Sequence, residues 1–241
     1  MIRFFIWTFP IFPGLKSFLK VISITNLIIN LNYNNRHINH NFKRHLIFEY
    51  NENDDTINDG DCLQDLTIKS TYTLNNGVKI PILGLGTYQA ANIKKIEDAV
   101  LHALQVGYRL IDTARMYGNE TEVGRAVKRS GIPREEIFIT TKVWFTDFGY
   151  DNVFKSFNKS LEDLNMKYVD LLLIHWPIGG RLLETWKAFE KLYKEEKCRA
   201  IGVSNFKINH LKKFLEESSI VPTINQVEFH PFLYQEDSSI F

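Results

Sequence analysis

The chain has 241 residues, a formal net charge of +1 and a 44% share of hydrophobic residues. The balanced charge gives no basic excess for nucleic acid binding, and this mixture of apolar and charged residues excludes a wholly disordered chain. The two cysteines, Cys62 and Cys198, lie far apart in the sequence. This excludes a disulfide framework and a cysteine-based metal site, and it fits a reducing compartment.

Residues 1–70 differ in composition from the rest of the chain. They combine a basic, asparagine-rich stretch with an acidic stretch over residues 49–65, and neither a helical nor a strand period runs through them. Two apolar stretches, 4–15 and 21–31, are each shorter than the roughly 20 residues of a membrane helix. The sequence therefore predicts a low-complexity, poorly ordered leader over residues 1–70. A targeting or membrane-associated segment is the alternative.

From residue 71 to the end of the chain, elements of regular period follow one another as a second region. A β-hairpin is predicted over 72–80, because Asn76-Gly77 favours the positive φ angles of a tight turn. Strands and helices then alternate, which is typical of βαβ units in a parallel sheet. Strands are predicted at 83–87, 109–112, 137–142, 169–175, 200–204 and 223–228, and helices at 93–105, 120–130, 151–164, 182–194 and 208–217.

Two parallel α/β architectures fit this alternation, an open doubly wound sheet and a closed barrel. A doubly wound dinucleotide fold is expected to show G-x-G-x-x-G after its first strand. Here Gly84 and Gly86 are followed by Gln89 in the place of the third glycine. The sequence also has no G-x-x-x-x-G-K-[ST] phosphate loop. Both observations argue against the dinucleotide-binding sheet.

Polar side chains close three of the predicted strands. Asp112, Lys142 and His175 each follow an apolar run, at the strand ends where parallel α/β folds collect their reactive groups. Tyr117 lies in the loop after Asp112. An unpaired buried ammonium is costly, so Lys142 is expected to pair with Asp112. Taken singly, these residues also fit a helix cap or a packing role, and it is their joint placement that favours a catalytic site.

These four residues suit the reduction of a carbonyl group. The Lys142 ammonium is expected to lower the pKa of Tyr117 from its ordinary value near ~10, so that Tyr117 serves as the general acid. His175 would donate a hydrogen bond to the carbonyl oxygen and orient it. Since none of the four residues supplies a hydride, a reduced nicotinamide cofactor is required.

Five motifs resemble the aldo-keto reductases in their order and spacing. They are D-T-A-R-M-Y-G-N-E (112–120), T-K-V-W (141–144), L-I-H-W-P (173–177), I-G-V-S-N-F (201–206) and N-Q-V-E-F-H-P (225–231). The resemblance spans about residues 71–234. It implies an α/β fold of the (β/α)8 TIM-barrel type, NADPH as the reductant, aldehydes or ketones as substrates, and a cytoplasmic monomer without a metal.

The resemblance also assigns roles to individual residues. The catalytic tetrad falls on Asp112, Tyr117, Lys142 and His175. The cofactor-binding residues are Gly86, Thr87, Tyr88, Asp112, Ser204, Asn205 and Gln226, and the substrate-contacting residues are Tyr88, Trp144, His175 and Trp176. Ser204, Asn205 and Gln226 carry the hydroxyl and amide groups that match a nicotinamide carboxamide. The glycosylation pattern at Asn119-Glu120-Thr121 lies beside this site and is interpreted as a chance match.

The motifs account for six of the eight β/α units that the resemblance implies. The seventh and eighth strands are therefore expected to be absent, and with them the groups that stack on the nicotinamide and bind the 2′-phosphate. The first and sixth strands are expected to present unpaired edges, and the isolated chain to have low stability. Three interpretations stay open: a carbonyl reductase, a catalytically impaired fragment or pseudoenzyme with at most an interaction role, and an incomplete or mis-assembled gene product.

Overall fold

The computed structural model of the chain describes residues 5–8, 67–88 and 93–228, and only the backbone of residues 5–8, 93 and 94. By its internal contacts the chain divides into two units, Met1–Phe12 with Ile68–Phe241, and Pro13–Thr67. The second unit lies outside the described residues apart from Thr67. The predicted leader, residues 1–70, is therefore largely outside the described part of the chain.

The elements predicted from the sequence are confirmed, with bounds that differ by at most two residues. The strands are β1 (Phe5–Thr8), β2 (Thr71–Thr73), β3 (Lys79–Pro81), β4 (Gly84–Gly86), β5 (Leu110–Asp112), β6 (Phe138–Val143), β7 (Val169–Ile174), β8 (Cys198–Ser204) and β9 (Asn225–Glu228). The helices are α1 (Ile93–Gln105), α2 (Glu120–Ser130), α3 (Tyr150–Leu164), α4 (Leu182–Lys194) and α5 (Ile208–Glu217). Only β1 has no counterpart among the predicted elements.

Strands β4 to β9 form one parallel sheet in which every strand pairs with its neighbours in sequence. A doubly wound sheet reverses its strand order at a switch point, whereas a (β/α)8 barrel adds strands in sequence order. The observed order therefore selects the barrel type, with six of its β/α strands described. The register places Gly86 beside Asp112 at the carboxyl ends of β4 and β5, and Ser204, the last residue of β8, beside Gln226.

Strand β1 corrects one expectation from the sequence. It pairs antiparallel with β9, in the register Phe5 to Glu228 and Thr8 to Asn225. The sixth barrel strand therefore does not present the unpaired edge that was expected of it. Among the described residues, no further strand pairs with β4 on the other side of the sheet. A short strand from residues 1–70 thus protects one edge of the sheet, which is a common way for proteins to avoid edge-to-edge association.

The core lies between the parallel strands and the helices that cross over them. Every residue of β6 and β7 is buried, as expected for strands that are covered on both faces. The helices contribute apolar side chains at helical spacing, such as Val123 and Val127 on α2. Helix α2 ends at Gly131, whose φ of 68° is the left-handed conformation that glycine adopts most easily.

The amino ends of the strands are held by one buried carboxylate. The side chain of Asp170 on β7 is fully buried and binds Arg134 at 2.7 Å, Arg199 at 2.8 Å and the backbone N–H of Ile139 at 2.9 Å. The predicted hairpin of β2 and β3 is confirmed, and Gly77 in its turn has a φ of 84°. Among the described residues, no helix is long and apolar enough to cross a membrane.

Candidate active site

Asp112 and Lys142 form a buried ion pair at the carboxyl ends of β5 and β6. Lys142 Nζ lies 2.6 Å from Asp112 Oδ1 and also donates to the backbone oxygen of Thr113 at 3.0 Å. The other oxygen of Asp112 accepts from Gln226 Nε2 at 2.9 Å. Burial lowers the pKa of Lys142, while Asp112 opposes that shift. The predicted pairing of these two residues is thus observed.

Tyr117 stands at the end of a 3₁₀ turn, Arg115–Tyr117, in the loop that follows β5. Its hydroxyl lies 3.4 Å from Lys142 Nζ and 3.5 Å from His175 Nε2. The pKa of Tyr117 is raised above its ordinary value, chiefly by burial and secondly by the Asp112 carboxylate. The expected lowering of this pKa is therefore wrong for this structure, because burial removes the phenolate from water. Tyr117 stays protonated at neutral pH.

His175 follows directly after β7 and is buried against the site. Burial, and secondly the Lys142 charge, lower the pKa of His175 to about 3, so its imidazole is neutral at physiological pH. Its Nδ1 atom has no hydrogen-bond partner among the described residues. The ring of Trp144 meets that of His175 edge-on at a centroid distance of 4.9 Å. A neutral imidazole facing Tyr117 can donate one hydrogen bond to a carbonyl oxygen.

The three predicted carboxamide-binding residues converge at the ends of β8 and β9. Ser204 Oγ donates to the backbone oxygen of Gln226 at 2.8 Å, and Asn205 Nδ2 donates to the backbone oxygen of His175 at 3.0 Å. Asn205 has a φ of 63°, a left-handed conformation that non-glycine residues adopt mostly where local structure requires it. Gln226 Oε1 is buried and has no hydrogen-bond partner among the described residues.

This arrangement fits a nicotinamide carboxamide. A buried acceptor without a partner costs free energy until a donor reaches it, and the amide nitrogen of a carboxamide is such a donor. Gln226 is already oriented, because its Nε2 atom donates to Asp112. Through Nε2, Gln226 therefore connects the predicted cofactor residues to the ion pair of the predicted catalytic residues, and its Oε1 atom is left to accept from a ligand.

The predicted first loop, Gly86, Thr87 and Tyr88, also reaches the site. Thr87 is buried, and its backbone N–H donates to the backbone oxygen of Asp112 at 2.9 Å. The ring of Tyr88 lies 4.9 Å from that of Tyr117. Gly86 is exposed next to them. Of the two predicted aromatic substrate residues, Trp144 contacts His175, whereas Trp176 is 42% exposed and makes no ring contact with the tetrad.

Asn119 and Glu120 are buried polar residues at the start of α2. The sequence predicted no role for them beyond their place in a motif. Asn119 is 2% exposed and bonds to Thr87 and Thr113. Glu120 accepts from Thr141 Oγ1 at 2.6 Å and from Ser160 Oγ at 3.1 Å, and burial raises its pKa. The sequence signal for both was weak, since Asn and Glu are common at helix starts whether they are buried or exposed.

The fold is that of an α/β barrel with four polar residues gathered at one end of its sheet, and comparison with known proteins identifies its family. The sequence profile described as "Aldo/keto reductase family" matches residues 82–241, so the chain belongs to that family. The glyoxal reductase of Bacillus subtilis is 50% identical over 171 residues, which are 71% of this chain and 62% of that protein. The 9,11-endoperoxide prostaglandin H2 reductase of Trypanosoma cruzi is 49% identical over 68% of this chain and 58% of that protein.

Solved structures agree with this assignment. An aldo/keto reductase from Brucella melitensis has a TM-score of 0.69 at 46% identity, with 71% of this chain and 68% of that one covered. The Bombyx mori aldo-keto reductase in complex with NADP has a TM-score of 0.68 at 35% identity, over 71% of this chain and 62% of that one. The chain thus spans about three fifths of the length of the curated relatives it matches.

Proposed function

We propose that the chain is an NADPH-dependent oxidoreductase that reduces an aldehyde or ketone to the alcohol, with Tyr117 as general acid. The observation that carries this proposal is the position of the Tyr117 hydroxyl, 3.4 Å from Lys142 Nζ and 3.5 Å from His175 Nε2. At this position Lys142 can stabilise a negative charge, and His175 can orient a hydrogen-bond acceptor. The relatives named as reductases, and the relative that binds NADP, support the same chemistry.

Each residue has a part in the reduction. NADPH, when bound by Ser204, Asn205 and Gln226, supplies the hydride that adds to the carbonyl carbon. His175 donates a hydrogen bond to the carbonyl oxygen, and Tyr117 transfers its hydroxyl proton to that oxygen as negative charge develops there. The phenolate that remains on Tyr117 lies beside the Lys142 ammonium.

The protonation states of the site suit this direction of reaction. A general acid must hold its proton at working pH, and the raised pKa of Tyr117 keeps the proton in place. Asp112 holds the Lys142 ammonium at 2.6 Å, so the positive charge is present where the phenolate forms. The aromatic ring of Tyr88 contacts Tyr117, and that of Trp144 contacts His175. They favour a substrate with an apolar group next to its carbonyl.

The proposal is tested by measuring NADPH oxidation with glyoxal and with an aromatic aldehyde, using wild type, Tyr117→Phe and Tyr150→Phe. Tyr150 is an exposed tyrosine of α3 and serves as the matched control. General acid catalysis contributes about 10²–10⁴-fold, so Tyr117→Phe is expected to lower kcat by that factor while Tyr150→Phe leaves it unchanged. Equal rates for Tyr117→Phe and wild type would refute the assigned role.

The second candidate is a catalytically impaired family member with at most an interaction role. The two candidates differ in cofactor binding, which the fluorescence of NADPH measures directly. Saturable binding that is weakened in Gln226→Leu supports the reductase, and the absence of binding by the wild-type chain supports the impaired protein.

The monomeric state and the cytoplasmic location remain parts of the proposal. Size-exclusion chromatography with light scattering tests the first, with a mass of 28.2 kDa expected for the monomer. Cell fractionation tests the second, and recovery in a membrane fraction would instead support the alternative interpretation of residues 1–70 as a targeting or membrane-associated leader.

A further inference from the structure

The loop that carries Tyr117 is closed by one side chain. The Thr113 hydroxyl donates to Asn119 Oδ1 at 2.7 Å, which joins the first residue after β5 to the last residue before α2. Between them lies the 3₁₀ turn Arg115–Tyr117, in which the Tyr117 N–H donates to the backbone oxygen of Ala114 at 2.9 Å. Hydrogen bonds therefore fix the loop on both sides of the turn, and Tyr117, the proposed general acid, is the last residue of the turn.

The same amide joins this loop to the first loop of the barrel. Asn119 Nδ2 donates to the backbone oxygen of Thr87 at 3.0 Å, and the Thr87 hydroxyl lies 3.2 Å from Asn119 Oδ1. Thr87 is anchored in turn to the backbone oxygen of Asp112. Tyr88 follows directly, and its ring contacts Tyr117 at 4.9 Å. One asparagine thus links the segments that carry the acid and its neighbouring ring.

The network is buried and satisfied. Thr87, Thr113 and Asn119 are each at most 3% exposed, so water does not compete for these bonds. A fully satisfied buried polar network is rigid, and losing one member leaves buried groups without partners. The Asn119 nitrogen that a glycan would require is engaged with Thr87. The chance interpretation of the glycosylation pattern is consistent with this, and the motif has a structural use instead.

We propose that Asn119 is a positioning residue, which closes the 113–119 loop and locks it to Thr87 so that Tyr117 is held at proton-transfer distance from the substrate carbonyl. This inference rests on the proposed function of Tyr117. Asn119 does not touch the reacting atoms. It acts through Thr113, whose backbone oxygen accepts from Lys142 at 3.0 Å, and through the Thr87-Tyr88 segment.

The test compares Asn119→Ala, Asn119→Asp, Thr113→Val and the control Thr223→Val. Thr223 is equally buried and donates to Ile201 at the amino end of the sheet, away from the tetrad. Misplacement of a catalytic group by about 1 Å costs about 10²-fold in rate. We expect Asn119→Ala to lower kcat by about that factor with an unchanged KM for NADPH, and Asn119→Asp and Thr113→Val to fall between it and wild type. Thr223→Val keeps the wild-type kcat.

A second measurement does not depend on turnover. In chains with 13C-labelled tyrosine, the nuclear Overhauser contact between Tyr88 and Tyr117 is expected to weaken in Asn119→Ala and Thr113→Val. The side chain of Tyr117 lies near Asp112, Lys142, His175 and Tyr88. Its pKa is expected to fall towards ~10 in both variants, because a loosened loop exposes the ring to water. An unchanged contact and titration in both variants would overturn the inference.

The two proposals fail separately. If the wild-type chain reduces no carbonyl while the variants lose the ring contact, the proposed function fails and the positioning of Tyr117 stands. If Asn119→Ala and Thr113→Val both turn over at the wild-type rate, the positioning role fails and the reductase stands. If Asn119→Ala does not fold, Thr113→Val carries the test alone, since it removes a single hydroxyl with little change in volume.

Discussion

Replacement of Asp112 by asparagine tests whether the buried ion pair is as isolated from water as its geometry indicates. The substitution keeps the shape of the side chain and an oxygen for Lys142. Its new amide group can donate to Gln226 Oε1 once the Gln226 amide turns over, since Nε2 now faces that oxygen of Asp112. The hydrogen bonds are thus largely retained, and the change removes one charge from beside a fully buried ammonium.

The magnitude follows from the two ways in which the folded chain can respond. Leaving a buried charge without its partner costs about 3–5 kcal/mol. Releasing the Lys142 proton instead costs about 1.36 kcal/mol for each pH unit below ~10.4, or about 4.6 kcal/mol at pH 7. The two figures agree, so we expect Asp112→Asn to lose about 3–4.6 kcal/mol of stability. For a domain of this size that corresponds to a fall in Tm of roughly 6–18 °C.

The pH dependence gives the sign of the effect. In Asp112→Asn the folded chain loses the Lys142 proton at a lowered pKa, whereas the unfolded chain keeps it up to ~10.4. Between those values the unfolded chain binds more protons, so the stability of the variant rises with pH by up to about 1.4 kcal/mol for each unit. At pH 9 the cost of proton release falls to about 1.9 kcal/mol, and the deficit against wild type is expected to shrink accordingly.

Urea unfolding followed by circular dichroism at pH 7 and pH 9 measures these quantities. The controls are Asp98→Asn, which alters a carboxylate that is 76% exposed, and the double variant Asp112→Asn/Lys142→Met, which removes both charges. The first is expected to stay within about 0.5 kcal/mol of wild type, and the second to recover most of the loss. If the free energy of unfolding of Asp112→Asn lies within about 1 kcal/mol of wild type at pH 7, and this difference does not change at pH 9, the ion pair is not isolated from water.

Four further outcomes are expected. Gly124→Ala should cost about 1–3 kcal/mol in urea unfolding, because a Cβ there would lie 2.2 Å from the backbone oxygen of Leu164, whereas Gly180→Ala, with nothing within 4 Å, should be neutral. Asp170→Asn should cost about 3–5 kcal/mol by the same measurement, since it leaves Arg134 and Arg199 without their shared carboxylate. Deletion of residues 1–12 should shift the chain to larger species in size-exclusion chromatography, because it frees the edge of β9, and an unshifted profile would contradict the role of β1. The rate of carbonyl reduction should stay level from pH 6 to pH 9, as the raised pKa of Tyr117 and the lowered pKa of His175 both lie outside that range, and a midpoint near pH 7 would contradict it.

The sequence predicts the repeating part of the fold well, for a physical reason. Buried parallel strands are short apolar runs and crossover helices carry apolar residues at helical spacing, so each element is visible in its own residues. Strand β1 was not predicted, because four residues show too little alternation to mark a strand. Its pairing depends on β9, which lies more than 200 residues further along the chain. Whether such a short segment forms an edge strand depends on the neighbouring strand with which it pairs.

Asp112, Lys142 and His175 were predicted because each ends a recognisable strand, and Tyr117 because it lies in the loop after Asp112. The contacts that support these four residues were not predicted. Asn119 reaches Thr87, 32 positions earlier, and Gln226 reaches Asp112 across 114 positions. No local period encodes such contacts. The pKa of Tyr117 was mispredicted for a related reason. Spacing indicates that a lysine is nearby, but only the folded structure shows how far the phenol is removed from water.

Burial shifts the pKa values of Tyr117 and His175 in opposite directions, and both shifts suit the proposed reduction. It raises the pKa of Tyr117 and lowers that of His175, because in each case the charged form loses its hydration. The resting site therefore contains one proton donor, one neutral imidazole and a single ion pair between Asp112 and Lys142. In the proposed reaction Tyr117 gives up its proton, and the new negative charge would appear 3.4 Å from the only ammonium among these four residues. Asp112 would thus act at a distance from the carbonyl, by opposing the lowering of the Lys142 pKa that burial causes.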